Sequence, residues 1–392
     1  MDLQSLFAHH LELPGPDEPL DRGILPSGGG VCALTDDRGR LIQTLAAQNL
    51  RRFLALRLEP PREGSRRRRT DLRAVARRLW WQPTHSVFET WLTYLRTARL
   101  LAPQSYRQEL AFGPVWFARV DPDAPFPRWV SDKYALTPPV IDVGPFWDRA
   151  SCRRFIELLE DLFDLCRHYE VLKQAPHGQA CAYKEMGKCP APCDGSISMD
   201  RYRDMIAASV DFARGGSAER LSQLEQAMSA ASTALQFERA ARIREQILRA
   251  KKILAADGRL QLTPDGFRYL VIQRGGGTSR IKPFFVDRGS VSTADAVMLR
   301  QIDRVAEQWT DKMVRPDAET GDSNPIHRSE CIWLVSHFLA KGDRAPGLFL
   351  HESQLSTPGD LAGRITERFG KRRPQRCSES EPVDPAVESE LE

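Results

Sequence analysis

No stretch of this sequence approaches the roughly 18 to 20 consecutive apolar residues that a membrane span requires, so insertion into a membrane is not expected. The opening MDLQSLFAHHLELPGPDEPL carries early acids and lacks the basic start, apolar middle and small-residue cleavage site of a secretory signal. A cytoplasmic protein is therefore expected. Charge of one prevailing sign is lacking too: 56 Lys and Arg stand against 52 Asp and Glu, a net of +4, so any electrostatic field must be local. No internal repeat is visible, which sets repeat architectures aside.

What is present is a chain of 392 residues, 41% hydrophobic and 28% charged, long enough for two or three soluble globular domains. Its basic residues are uneven. Arg62, Arg66, Arg67, Arg68, Arg69, Arg73, Arg77 and Arg78 crowd one segment, and Arg364, Lys371, Arg372, Arg373 and Arg376 precede an acidic tail, SESEPVDPAVESELE. Such a tail is expected to be disordered or to fold back on the basic stretch.

The pattern predicts an α+β multidomain chain. Residues 24–58 read as two short strands, GVCAL and LIQTLA, joined by a DDRGR turn, then a helix beginning at Asn49. A second helix is expected over 87–101, and the Pro- and aromatic-rich stretch 111–150 reads as a hairpin and linker. The pattern FIELLEDLFDLCRHYEVL predicts a helix over 152–172 with Cys166 near its end, and another follows over 199–212. From 219 to 255 the apolar positions step by three and four, break phase near Gln236 and resume, as in a helical hairpin. Residues 258–375 read as a separate small α+β unit, and 376–392 as the disordered tail.

Four of the eight cysteines fall close together. Cys166, Cys181, Cys189 and Cys193 have the spacing C-x14-C-x7-C-x3-C, ending in MGKCPAPCDG. In a reducing compartment such a cluster points to metal or redox chemistry, not to disulfides. Zinc sites favour cysteines two to four residues apart, which only Cys189 and Cys193 satisfy; an iron–sulfur cluster on four cysteines is at least as compatible. Cys32, Cys152, Cys331 and Cys377 are scattered and read as packing residues.

The string CAYKEMGKCPAPCDGSISMDRYRDMI, followed by LEQAMSAASTALQFERAARIREQI, resembles the middle of the C subunit of the UvrABC excinuclease, cysteine-rich region and UVR motif in order. The likeness extends over roughly residues 20 to 255. It implies a 4Fe-4S cluster on the four cysteines, with zinc as the alternative. It implies a partner as well, a UvrB-like helicase subunit met through the hairpin by Leu235, Phe237, Glu238, Ala241, Arg242, Ile243, Arg244 and Ile247. Two short antiparallel helices cannot bury both apolar faces alone, so a second hairpin completing a four-helix arrangement is the physical reason for docking.

Residues 20–110 resemble the GIY-YIG nuclease domain of that family with its chemistry replaced. Cys32 and Gln43 stand where the resemblance places tyrosines, Phe53 at the catalytic arginine, Tyr94 at the metal-binding glutamate and Tyr106 at the terminal asparagine. Phosphodiester hydrolysis needs a metal and a positioned activating group, and neither is found at these positions; Glu89 is one substitute ligand on a neighbouring turn. The expected function is a DNA-repair factor without nuclease activity that binds DNA through Arg51, Arg52 and Arg66 to Arg69. A divergent structure-specific endonuclease and a hairpin-bearing adaptor that never touches DNA are the alternatives.

Overall fold

The structure is a computed structural model that describes residues 3–58, 72–135, 139–256, 263–314, 324–355 and 357–370. Arg62, Arg66 to Arg69 and the acidic tail lie outside the described residues. The chain opens with β1 (His9–Glu12), β2 (Gly29–Thr35) and β3 (Leu41–Ala47), followed by α1 (Leu50–Arg57), α2 (Leu72–Val75), β4 (Arg78–Thr84) and α3 (Val87–Leu101). The strands form an antiparallel sheet in the order β1-β4-β2-β3. The β2–β3 turn forms where the sequence predicts it: Asp36 accepts from the amides of Arg38 and Arg40, and Gly39 takes a φ of 75°. Asn49 and Ser86 cap α1 and α3, each accepting from the amide three residues on.

Alternation along β2 assigns its faces. Cys32 and Leu34 pack with Leu50 and Leu54 of α1, whereas Val31 and Ala33 pack with Phe88, Leu92 and Leu95 of α3. At Gly30 any Cβ would meet the Gln82 carbonyl at 2.5 Å, so glycine is what lets β4 lie alongside.

Next come β5 (Trp116–Val120), β6 (Val130–Asp132), β7 (Ile141–Phe146), α4 (Arg149–Leu162), α5 (Tyr169–Leu172), α6 (Ala182–Glu185), α7 (Met199–Asp211), α8 (Ser217–Thr233) and α9 (Phe237–Ala256). The expected hairpin and linker over 111–150 is instead a three-stranded sheet, β6-β5-β7, covered by α4. Its period was hidden by Gly144 and Pro145 inside β7 and by a register shift opposite them, between Trp116 and Ala118. The helix expected through Leu172 stops at Leu162. Asp164 takes a φ of 50°, which turns the chain and leaves Cys166 in the bend.

The remainder is β8 (Arg268–Arg274), β9 (Arg280–Asp287), β10 (Ser290–Thr293), β11 (Val297–Met298), α10 (Ile302–Val314), α11 (Pro325–Leu339), β12 (Leu348–His351) and α12 (Pro358–Gly370). The sheet order is β10-β9-β8-β12, with β11 pairing β9. On β8, Leu270 and Ile272 face α10 and α12, while Tyr269 and Val271 join the core that holds α3. The separate C-terminal unit expected from sequence is therefore corrected: one core contains Val31, Phe88 and Leu95 together with Val271, Phe284 and Phe338. Phe88 meets Phe284, Phe338 and Phe349 edge-on. Buried residues run unbroken from Ser329 to Ser336 on α11, as on a helix enclosed on all sides.

A carboxylate closes this joint. Glu330 of α11 has no exposed side-chain surface; Arg99 Nε lies 2.9 Å and Arg107 Nε 2.6 Å from its oxygens, and the Tyr106 hydroxyl donates at 2.6 Å. Burial, and then the carboxylate it faces, pushes the Tyr106 phenol up to about 12. Removing one partner of a buried pair leaves the other charge uncompensated. Glu330→Ala is expected to lower unfolding stability by about 3–5 kcal/mol in urea titration; a loss below about 1 kcal/mol would show that the joint does not depend on this ion cluster.

Candidate functional site

The cysteine-bearing loop follows the end of α4. Cys166, Cys189 and Cys193 are buried, and Cys181 is half-buried just before α6. The Cys166 amide donates to the Tyr202 hydroxyl at 3.2 Å, and its thiol lies 3.5 Å from the His168 carbonyl. Cys166 and Cys189 share a thiol hydrogen bond, which drives the Cys166 thiol up and the Cys189 thiol down; the Arg167 guanidinium adds to the second effect. Cys193 lies within the field of both Cys189 and Cys181.

The loop is pinned by its backbone. Ala191 and Gly195 take left-handed conformations, and the Gly178 amide donates to the Cys193 carbonyl at 2.8 Å. Lys184 reaches both Asp194 and Ser196. Among the described residues, no three His, Cys, Asp or Glu side chains stand ready to hold one metal ion. What the loop offers is four sulfur donors, of which Cys166 and Cys189 are in contact, and donors of this softness suit zinc or an iron–sulfur cluster.

α8 and α9 pack as an antiparallel hairpin through a tight turn in which Leu235 has a φ of 59°. The turn leaves apolar surface bare: Leu235 is 73% exposed and Phe237 64%, with Glu238, Ala241, Arg242 and Arg244 exposed nearby. Ile247 is a correction. Expected as a partner anchor, it is buried with Leu224 and Ala250 against the core of α4 and α7, because the spacing from Ile243 through Ile247 to Ala250 keeps that stripe facing inward.

Cys32, Gln43, Phe53, Tyr94 and Tyr106 do not converge on one site. Cys32 and Phe53 pack on the α1 side of the first sheet, where Gln43 accepts from Arg57 at 3.2 Å. Tyr94 and Tyr106 are buried on the opposite side, the Tyr94 hydroxyl reaching the Tyr106 carbonyl at 3.3 Å. Glu89 is paired with Lys282 at 2.7 Å. Several arginines of the basic segment are also committed. Arg51 donates to the Leu25 carbonyl, Arg73 to those of Pro14, Gly15 and Glu18, and Arg77 to those of Arg73, Ala74 and Ala76. Arg52 is exposed.

Residues 116–212 match the family model of the UvrC/Cho excinuclease middle domain, and residues 218–253 that of the UvrB/uvrC motif. The middle of this chain is UvrC-like. Over 159 residues, 40% of the chain, it is 32% identical to UvrABC system protein C of Methanothermobacter thermautotrophicus, covering 26% of that protein. Its counterpart in Desulforudis audaxviator is 29% identical over 59% of the chain and 34% of its own length. That of Cereibacter sphaeroides is 23% identical over 97% of the chain and 59% of its own length. The chain thus spans between about a quarter and three fifths of these relatives. No solved structure matches.

All four clustered cysteines fall within the UvrC-like middle segment, and the bare turn of the hairpin falls within the UVR motif. Among the described residues no helix is long and apolar enough to cross a membrane. Sequence reasoning missed the polar contacts of the bend before Cys166, where Glu160 stands beside Asp161 and Glu157. Burial, and after it those two acids, pushes the Glu160 carboxyl up to about 7 against the pull of Arg167. The folded chain therefore favours the protonated acid, and that stability is lost as the pH rises from the ordinary carboxyl value of 4.5 through about 7. Glu160→Gln is expected to raise the melting temperature at pH 8, with the gain vanishing as the pH approaches 4.5; an equal gain at both ends would refute the linkage.

Proposed function

We propose that this chain is an accessory protein of nucleotide excision repair. It holds a 4Fe-4S cluster on Cys166, Cys181, Cys189 and Cys193, presents its hairpin to a UVR-bearing partner of the UvrB type, and associates with DNA without cutting it. The observation that carries the reading is the union of cysteine loop and hairpin in one UvrC-like segment, with Leu235 and Phe237 bare at the turn. A cluster on these thiols would cross-link the loop between α4 and α7 and would supply one-electron chemistry. Loss of cleavage is supported by the spent positions: Tyr94 and Tyr106 lie beneath α11, and Glu89 is neutralised by Lys282.

The hairpin-bearing adaptor that never touches DNA is the second reading, favoured by the commitment of Arg51, Arg73 and Arg77 to backbone carbonyls. Salt-dependent retention on duplex DNA separates the two, because phosphate contacts release counterions.

Leu235→Ala with Phe237→Ala is expected to weaken binding to a UVR-bearing B subunit by about 2 kcal/mol or more, roughly thirtyfold in Kd. The melting temperature should not change, since both side chains are exposed. Undiminished binding of this double variant would sink the docking claim. For the cysteines, anaerobically purified protein should be brown and carry about four irons and matching sulfide per chain. Cys189→Ser should lose both colour and stability. One equivalent of zinc without iron would keep the ligands and refute the cluster, and absence of any metal would refute both.

A further inference from the structure

The bend between α4 and Cys166 is held from two sides. Asp161, on the last turn of α4, accepts from Arg167 at 2.5 Å through one carboxylate oxygen and from Arg249 of α9 through the other. Arg167 belongs to the cysteine loop: it donates to the Lys188 carbonyl at 3.0 Å, next to Cys189, and lies over the Tyr183 ring at 4.8 Å. On the hairpin side, Gln246 of α9 donates to the Asp161 carbonyl at 2.8 Å, and Arg220 of α8 donates to the Leu162 carbonyl at 2.7 Å. Both helices of the hairpin therefore grip the turn that leads into the first cysteine.

We infer that Asp161 is a coupling residue through which the ordering of the cysteine loop sets the seating of the partner-binding hairpin. This deepens the reading of the four cysteines as a metal site and rests on it. The hydrogen bonds of α8 and α9 on this side fall on the Asp161 carboxylate and on the Asp161 and Leu162 carbonyls, so they depend on that turn keeping its shape, whereas Glu157, one turn back, lies 3.7 Å from Arg249. The turn in turn is shaped by Cys166, whose amide is tied to Tyr202, and by the Arg167 clasp. When the loop loosens, Asp161 and Leu162 stop presenting fixed acceptors, and α9 is left to the inner stripe of Ile247 and Ala250 and the longer Arg249–Glu157 pair. A loosened hairpin must be ordered again on binding, which weakens its complex. Coupling of this kind is reciprocal, so a bound partner must also tighten metal retention.

The test is amide hydrogen exchange on the full chain, read over residues 243–250 of α9 and over the loop, with α11 as the reporter of intact global folding. Wild type, Cys189→Ser, Arg249→Ala and their combination are compared. Arg167→Gln serves as a second way of loosening the loop without touching a thiol. Cys189→Ser and Arg167→Gln are each expected to speed exchange over 243–250 at least about fivefold while α11 stays protected. In the Arg249→Ala background, where the link is already cut, the added loop change should accelerate α9 by much less than it does in wild type. Coupling is overturned if the loop variants speed the loop and leave α9 unchanged, or if the effects simply multiply. Iron, sulfide and zinc analysis of the wild-type sample fails separately: a metal-free chain that still shows the non-additive pattern refutes the metal site and leaves the coupling standing.

Discussion

The Glu330 carboxylate is fully enclosed, and a charge so placed costs several kcal/mol in desolvation before any partner is counted. It is tolerable only because Arg99, Arg107 and the Tyr106 hydroxyl all reach it. Those three groups come from α3 and the turn after it, whereas Glu330 comes from a helix more than two hundred residues later in the chain. One set of polar contacts therefore fixes how the first and last sheets face each other. The apolar residues around it, Phe88, Phe284, Phe338 and Phe349, give the joint its area but carry no comparable directional requirement. Direction comes from the fork geometry of the guanidinium groups.

This arrangement bears on what α3 can expose. Tyr94 and Tyr106 are parts of a core and of an ion cluster. A hydrolytic centre needs concave, polar, hydrated space for metal and phosphate. Here that side of α3 carries aromatic rings and a second sheet. Coverage of α3 by the C-terminal sheet is what supports the proposed absence of cleavage.

Legibility from sequence followed local periodicity. The strands at Val31 and Leu45, the Gly39 turn and the helix opened by Ser86 are local devices, and each formed where its residues indicated. The sheet around Phe117 was not legible, since Gly144 and Pro145 disguise its alternation and its partners are set by long-range pairing. α11 did leave a signal: apolar residues on every side of SECIWLVSHFLA mean a helix enclosed by protein, which a free-standing terminal unit could not provide. Among the candidate site residues, Cys166, Cys181, Cys189 and Cys193 stand out in the sequence by their spacing, and in the fold Cys166 and Cys189 also pack within the core around α4 and α7. Ile247 was misjudged because an apolar residue in a binding motif does not reveal which face of its helix its own protein already uses.

That last distinction is what the proposed docking of the hairpin requires. α9 divides its apolar residues between two faces: Ile247 and Ala250 are spent on α4 and its neighbours, so the hairpin is folded before any partner arrives. Leu235 and Phe237 lie beyond the reach of that core, at a turn whose left-handed Leu235 holds the side chains outward. A hairpin that had to fold on binding would pay its ordering entropy at that moment and bind more weakly for the same contacts. Because the inner stripe and the grips on Asp161 and Leu162 order the hairpin in advance, the proposed docking would keep the contact free energy at the tip for affinity, and any change that loosens the inner face would weaken it.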